Sequence, residues 1–302
     1  MNISEINIAI LVIGYSRPKL FEKAVKSLKF LGLPKSVQKY AVIDGAKEKG
    51  GDLFKKNKSV KDIGKKLLNE GYLNSLKIRR KNLGTMINVY KSITEILRKH
   101  DFIFVLEDDL EILPSAKDSI IIMLKKLEGP INSFSIYCNH SYTDKIFSSH
   151  RFSSQAWGTT KEAWLNFNPY KIKEDNLSFS EIINLRRKCG TDMYSNFKAF
   201  KKGNLDSWAV PWNIYNFKNS NQMVYPPKSF IFNNSHLIGG ERTEGIQFKY
   251  QISKDRLKKD NKKPKLNLRY LSHFSILNRF KRTILSKIYK YKFKIFSKFK
   301  GE

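Results

Sequence analysis

The chain is 302 residues long, 41% hydrophobic and 13% aromatic, and carries 57 Lys+Arg against 27 Asp+Glu, a formal charge of +30. That length can bury a sizeable core, and the apolar content excludes a disordered basic tail. The charge calls for an anionic partner: nucleic acid, an anionic membrane surface or a phosphorylated ligand.

Ile8 to Ile13 is an apolar run of strand length. It has no basic residue before it and no cleavage site after it, and it falls short of the ~20 residues that span a bilayer. A soluble or surface-attached protein is expected. Ser16-Arg17-Pro18 then reads as a helix start, and Leu20, Phe21, Ala24, Leu28 and Leu31 give a helix from about 18 to 31, closed by Gly32 and Pro34. A second strand, Tyr40 to Ile43, ends at Asp44-Gly45. A weak helix around 60–68 and a third strand, Leu76 to Arg79, follow. Asn82-Leu83-Gly84 opens a helix buried through Met86, Val89, Tyr90, Ile93, Ile96 and Leu97. A fourth strand, Phe102 to Leu106, runs into Glu107-Asp108-Asp109.

Strands alternating with helices predict an α/β fold with a mostly parallel sheet covered on both faces, whose ligands lie beyond the carboxyl ends of the strands. Arg17, Asp44, Arg80 with Asn82, and the acidic triplet fall at four successive strand ends. Neither GxGxxG nor GxxxxGK[ST] occurs at these turns. Three consecutive carboxylates repel one another, and Mn2+ or Mg2+ shared with a diphosphate would compensate them. The competing reading has Asp108 or Asp109 capping the next helix.

The segments IAILVIGYSRP, AVIDG, IRRKNLG and FIFVLEDDLEILPSA, in this order, resemble the nucleotide-binding half of GT-A-fold (Rossmann-like) glycosyltransferases, specifically the N-acetylglucosaminyltransferase I-like group and its bacterial sugar-transferase relatives, over about residues 7 to 245. The resemblance implies that Tyr15 and Arg17 approach the nucleotide, Asp44 pairs with uracil, and Arg80 and Asn82 line the cleft. It further implies that Glu107 and Asp108 face ribose and donor sugar, and that Asp109 ligates the metal. The segment from Phe152 to Trp164 is similar to one that borders the donor sugar, so Trp157 would offer a ring face and Gly158 a close backbone approach. Trp164 reads as core. Asp206, ahead of Ser207-Trp208, matches the family's catalytic base; its alternative is a helix N-cap, and Asp192 is the reserve. The bacterial pattern of a Thr-His-Thr-like triplet is absent: Glu241-Arg242-Thr243 stands there, with His236 nearby, and Arg242 is a candidate phosphate contact. His100 and His273 read as solvated, and His140 and His150 lack ligand spacing.

From Lys249 to Glu302 there are 18 Lys+Arg and 3 Asp+Glu, half of the total excess. After a linker at Lys254 to Lys265, residues Leu277, Phe280, Ile284, Ile288, Tyr291, Ile295 and Phe299 form one helical stripe flanked by lysines. This reads as a helix on an anionic membrane surface or as a helix docked on the body. Cys138 and Cys189 are the only cysteines, too few for a disulfide framework, so a reducing compartment is expected.

The expected organisation is a nucleotide-sugar-binding half (1–135), an acceptor and catalytic half (136–248) and a basic amphipathic tail (249–302). The expected function is a metal-dependent, inverting transferase. It would use a nucleotide sugar, a UDP-sugar by the resemblance, and a bacterial surface glycan acceptor that a lipid can carry. It would work in the cytoplasm, peripheral on the inner face of the cell membrane. Nucleic acid is not expected, since no recognised module appears in the body. The alternatives are a basic nucleic-acid-binding protein and a nucleotidyltransferase, whose glycine-rich first loop Gly14-Tyr15-Ser16-Arg17 supplies poorly.

Overall fold

The apolar run at residue 8 forms the strand around which the molecule is built. In the computed structural model, which describes residues 6–138, 145–234 and the short strand at 269–270, β1 (Ile8–Gly14) lies between β2 (Gln38–Ile43) and β4 (Phe102–Glu107), parallel to both. Its side chains alternate between two core layers, Ile8, Ile10 and Val12 on one face and Ala9 and Leu11 on the other, as a strand buried on both sides must. β4 divides in the same way.

The first layer is covered by α1 (Pro18–Ser27), α2 (Gly51–Asn69) and α4 (Lys117–Leu124). Pro18 starts α1, and its continuation, a 3-10 turn at Leu28–Leu31, stops at Gly32 with φ +60. α2 is longer than its sequence suggested. Its buried positions are Asn57, Val60, Gly64 and Leu67. The second layer is covered by α3 (Gly84–Leu97), α5 (Lys161–Leu165), α6 (Pro169–Glu174), α7 (Phe179–Cys189), α8 (Met193–Lys201) and α9 (Ala209–Lys218).

The remaining strands are β3 (Ser75–Ile78), β5 (Leu110–Ile112), β6 (Ile131–Ser135), β7 (Phe147–Ser149), β8 (Trp157–Thr160), β9 (Gln222–Tyr225), β10 (Ile231–Asn233) and β11 (Arg269–Tyr270). The sheet runs β3-β2-β1-β4-β8-β6-β9-β7-β11, and β10 pairs with β5 separately. Five of its eight neighbouring pairs are parallel, so the α/β, mostly parallel expectation holds. The antiparallel β8 links β4 to β6 by pairing with both. Because β1 to β4 all run one way, their carboxyl ends open on one edge, where the site lies.

Among the described residues no helix is long and apolar enough to cross a membrane. The linker and amphipathic stripe of the sequence reading lie outside the described residues.

Candidate active site

The triplet at the end of β4 is held by Arg17, the residue before α1. The Arg17 guanidinium bridges two of the acids, donating to Asp109 Oδ2 at 2.8 Å and pairing with Asp108 Oδ1. Asp108 is 3% exposed and also accepts the Tyr15 backbone N–H at 3.2 Å. Burial opposes the charge on Arg17, but Asp108 and Asp109 override it and hold the guanidinium above its ordinary pKa. Burial likewise raises Asp108 to about 6, opposed by Arg17 and assisted by Asp109. Glu107, half-buried beside them, is pushed up to about 8 by burial and by Asp109; Arg17 and a hydrogen bond from the Trp208 indole act against the rise. One guanidinium thus faces three carboxyl groups.

Asp109 Oδ1 is buried and accepts no hydrogen bond among the described residues. An open carboxylate oxygen in a site with surplus negative charge suits a hard divalent cation. No cluster of three or more His, Cys, Asp or Glu able to hold a metal occurs among the described residues. Asp108 departs from expectation. Its oxygens are turned to Arg17 and the Tyr15 amide, which makes it a strut of the β1 turn rather than a sugar contact.

Asp44 is 5% exposed at the end of β2, and the chain itself occupies its carboxylate. It accepts from the amides of Gly45 (2.9 Å), Leu83 (3.0 Å) and Gly84 (3.1 Å) and from Asn82 Nδ2 (3.1 Å). Burial raises its pKa, and these donors work against the rise. The expectation that Asp44 pairs with uracil is corrected accordingly: its lone pairs hold the Asn82 loop. Asn82 also donates to Gly45 O at 2.8 Å, so it too is turned inward to the turn it shapes. Gly45 is required by this approach, because a Cβ there would lie 2.3 Å from the Lys81 carbonyl carbon. Arg80 is exposed beyond β3, whereas its neighbour Arg79 reaches α3 and bonds Asn88, Ser92 and Glu95.

Asn57, which the sequence reading missed, ties two of these loops together. From α2 its amide donates to Tyr15 O at 2.8 Å and Asp44 O at 3.0 Å, and its Oδ1 is buried without a hydrogen bond among the described residues. An asparagine three and seven residues before Val60 and Gly64, on the inward face of α2, was the available signal.

Asp206 crosses to the first turn of α3. Its oxygens accept the Thr85 amide at 2.6 Å and the Met86 amide at 2.9 Å. It therefore caps a helix, but one 120 residues away, while its own neighbour Trp208 occupies the N-cap of α9 without a side-chain bond. Ser207 separates Asp206, on α3, from Trp208, on Glu107, so this short loop straddles the crevice. The reserve acid Asp192 is engaged by Arg151 through two bonds of 2.6 and 2.8 Å.

Trp157 and Gly158 are corrected. Trp157 is fully buried, stacked on Trp208 at 4.7 Å and beside Trp164 and Trp212 at 5.8 and 6.1 Å, so all four tryptophans of the chain form one core cluster. The close approach at Gly158 is to Phe102, whose Cζ would lie 2.3 Å from an added Cβ. His100 is 5% exposed rather than solvated, between the Tyr40 hydroxyl and Asn7 Oδ1. His150 is half-buried, its Nδ1 on Asn221 O. His140, His236, Arg242 and His273 lie outside the described residues.

No family model and no curated protein matches the sequence. Among solved structures, the chain is similar to the mannosyltransferase PcManGT from Pyrobaculum calidifontis in complex with GDP-Man and Mn2+, at 12% identity and a TM-score of 0.39 over 52% of this chain and 45% of that one. It is also similar to S. aureus TarS 1-349, at 12% identity and 0.47 over 76% and 60%, and to the same protein in complex with UDP-GlcNAc, at 10% identity and 0.41 over 74% and 57%. The chain thus spans about half to three-fifths of those chains' own length.

Proposed function

We propose that the chain is a metal-dependent, inverting glycosyltransferase of GT-A type that moves a sugar from a nucleotide sugar, a UDP-sugar, to a hydroxyl of a bacterial surface glycan at the inner membrane face. The observation that carries this reading is the pairing of Arg17 with Asp108 and Asp109 at the carboxyl ends of β1 and β4, with one buried oxygen of Asp109 left open. The ordered segments that resemble the family supply the donor class and the inverting course.

Asp109 is the residue that would hold Mn2+ or Mg2+, which when bound offsets charge on the departing diphosphate. Arg17 is the cation nearest that diphosphate, and its planar donors suit phosphate oxygens once they leave the carboxylates. Asp44, Asn82 and Asn57 fix the loops between which the nucleoside would lie, so the base is read by loop backbone rather than by the Asp44 carboxylate. Glu107 is partly open at the crevice floor and oriented by the Trp208 indole, where it can accept from a sugar hydroxyl.

An inverting transfer is a single displacement at the anomeric carbon, and a carboxylate must take the acceptor proton. Asp206 fills that role in this reading. The two α3 amides orient its carboxylate. The basic stretch 249–302 supplies the attraction to an anionic membrane, which suits an acceptor carried on lipid.

The deciding experiment is thermal unfolding of the full chain with UDP and Mn2+, followed by a donor screen read as nucleoside diphosphate release. Stabilisation by UDP with Mn2+ that is lost in Asp109→Ala supports the reading. No stabilisation by any nucleoside diphosphate overturns it. Equal flotation on anionic liposomes by chains with and without residues 249–302 overturns the membrane role of that stretch.

A further inference from the structure

The outer face of α7 carries a feature that the donor site does not use. Phe179 is 79% exposed and Ile183 49%, the former the most exposed of the large apolar side chains among the described residues. At about 100° per residue, Phe179, Ile183, Arg186 and Arg187 fall within one arc of roughly 100°. Leu185 and Cys189 point the opposite way and are fully buried. The face is apolar in its first half and doubly basic in its second. It extends sideways through Tyr194 of α8, whose ring carries Arg186 at 5.3 Å and Lys198 at 5.4 Å.

This exposure belongs to a well-formed helix. Ser178 and Glu181 make a reciprocal capping box at its start, so Phe179 is held outward in the first turn. Glu181 is the only acid of α7, and its carboxylate is turned back on the Ser178 amide, which leaves the outward arc without a negative group.

We infer that this face of α7 seats on an anionic lipid surface, with Phe179 and Ile183 entering the headgroup boundary and Arg186 and Arg187 meeting lipid phosphates. Two properties choose lipid over the other occupants. Phe179 is 79% exposed at the start of the helix; a bilayer accepts such a side chain directly, whereas a protein partner must supply a matching groove. The chain's +30 draws it to an anionic surface and repels a second copy of itself. Arginine stems can lie beside the apolar pair while their guanidinium groups reach outward. This surface is separate from the stretch 249–302. α7 packs on α9, with Glu181 of its first turn near Lys218 at the end of α9.

The test keeps the full chain and reports on α7 alone. Cys138 and Cys189 are buried, so Ser180→Cys supplies one accessible thiol on the edge of the arc for an environment-sensitive label such as bimane. With phosphatidylglycerol vesicles the label emission shifts to the blue. With phosphatidylcholine vesicles it does not. Adding Phe179→Ser with Ile183→Ser removes the shift, and adding Arg186→Gln with Arg187→Gln reduces it, with the melting temperature of each variant measured alongside because Arg186 also packs over the Tyr194 ring.

An unchanged emission on phosphatidylglycerol vesicles overturns the inference, whether or not the chain floats with them through another segment. A shift that grows with protein concentration in the absence of vesicles assigns the face to a second copy and also overturns it. So does an equal shift with an acidic polypeptide such as polyglutamate.

Discussion

Asp44 and Asp206 close on the same helix end: Asp44 takes the amides of Leu83 and Gly84, and Asp206 takes those of Thr85 and Met86. The amides at the start of α3, which no helix can satisfy internally, are thus shared between a buried acid from β2 and an exposed acid from the second half of the chain. Gly84 lies between them with φ +76, and a Cβ there would sit 2.7 Å from Asp206 Oδ2. The positive end of α3 is therefore already neutralised, and in the proposed function a donor diphosphate would find its cations at Arg17 and a bound metal rather than at this helix terminus.

Removing the two acids has unequal costs. Asp206→Ala exposes its amides to water and lowers stability by about 1 kcal/mol, the ordinary loss of a cap. Asp44→Ala strands buried donors and costs about 1–3 kcal/mol for each one left unpaired. Urea unfolding ranks the pair, and an Asp206→Ala variant less stable than Asp44→Ala contradicts the division of labour. Asp206→Asn separates the cap from the base: it keeps one accepting oxygen and UDP binding, and loses at least a hundredfold in kcat. Transfer at the parent rate removes Asp206 from the chemistry.

In the proposed function Arg17 and a metal compete for the charge of Asp109, the guanidinium at Oδ2 and the metal at the open Oδ1. Arg17→Gln leaves Asp108 and Asp109 buried without a counter-charge, and breaking a buried pair in this way costs about 3–5 kcal/mol. Mn2+ at Oδ1 then meets no positive charge beside it. It therefore raises the melting temperature of Arg17→Gln by more than that of the parent, while UDP with Mn2+ gains less for the variant because a phosphate contact is missing. Equal Mn2+ shifts in the two proteins rule out the competition.

The first four strands and the helices after β1 and β3 were legible because their apolar runs end in strong punctuation: Pro18 and Gly32 about α1, Asp44-Gly45 after β2, Gly84 before α3. α2 was read short because lysines dominate it and two of its four buried positions are Asn57 and Gly64, which carry no apolar signal. Residue type also placed the acids at strand ends correctly. It could not say which oxygens the chain itself would consume, so Asp44 and Asp108 read as ligand contacts and are loop struts. Trp157 failed for a related reason: an aromatic ring suits a sugar and a core equally, and only the stack with Trp208 separates them.

The burial of Trp157 has a measurable consequence. Trp157→Ala removes a fully buried ring and costs about 3–5 kcal/mol. Trp157→Phe keeps part of the packing and leaves the KM for donor unchanged. A donor KM that rises tenfold in Trp157→Phe at parent stability would return the ring to the sugar site.

His100 makes stability depend on pH. Burial lowers its pKa below the ordinary 6.5; Asp101 acts against the shift, and Lys99 adds to it. The unfolded chain therefore binds the proton more readily than the folded one, and stability must fall as pH drops through about 6.5 and level off below the folded value. Asp108 acts in the opposite sense, since its raised value makes the folded state the better proton acceptor between about 3.8 and about 6. The difference between the parent and His100→Gln isolates the histidine. Unfolding free energies measured from pH 5 to 8 should run parallel above about 6.5 and converge as the pH falls below it, and curves parallel throughout would show that the ring titrates freely.

Gly45 tests whether the Asn82 loop serves the donor. The backbone of Lys81 and Asn82 lies so close that a Cβ on residue 45 would meet the Lys81 carbonyl carbon at 2.3 Å and oxygen at 2.6 Å. Neither contact is the yielding end of a side chain, so in Gly45→Ala the loop must move, and the bonds from Asn82 to Gly45 O and Asp44 move with it. If the nucleoside lies between this loop and the β1 turn, affinity for UDP falls at least tenfold while Asp109, the proposed metal carboxylate after β4, is untouched. Mn2+ binding in the absence of nucleotide should then match the parent. A variant that melts lower but binds UDP as the parent does would show that the loop braces α3 without touching the donor, and the nucleoside would have to be sought elsewhere along the strand ends.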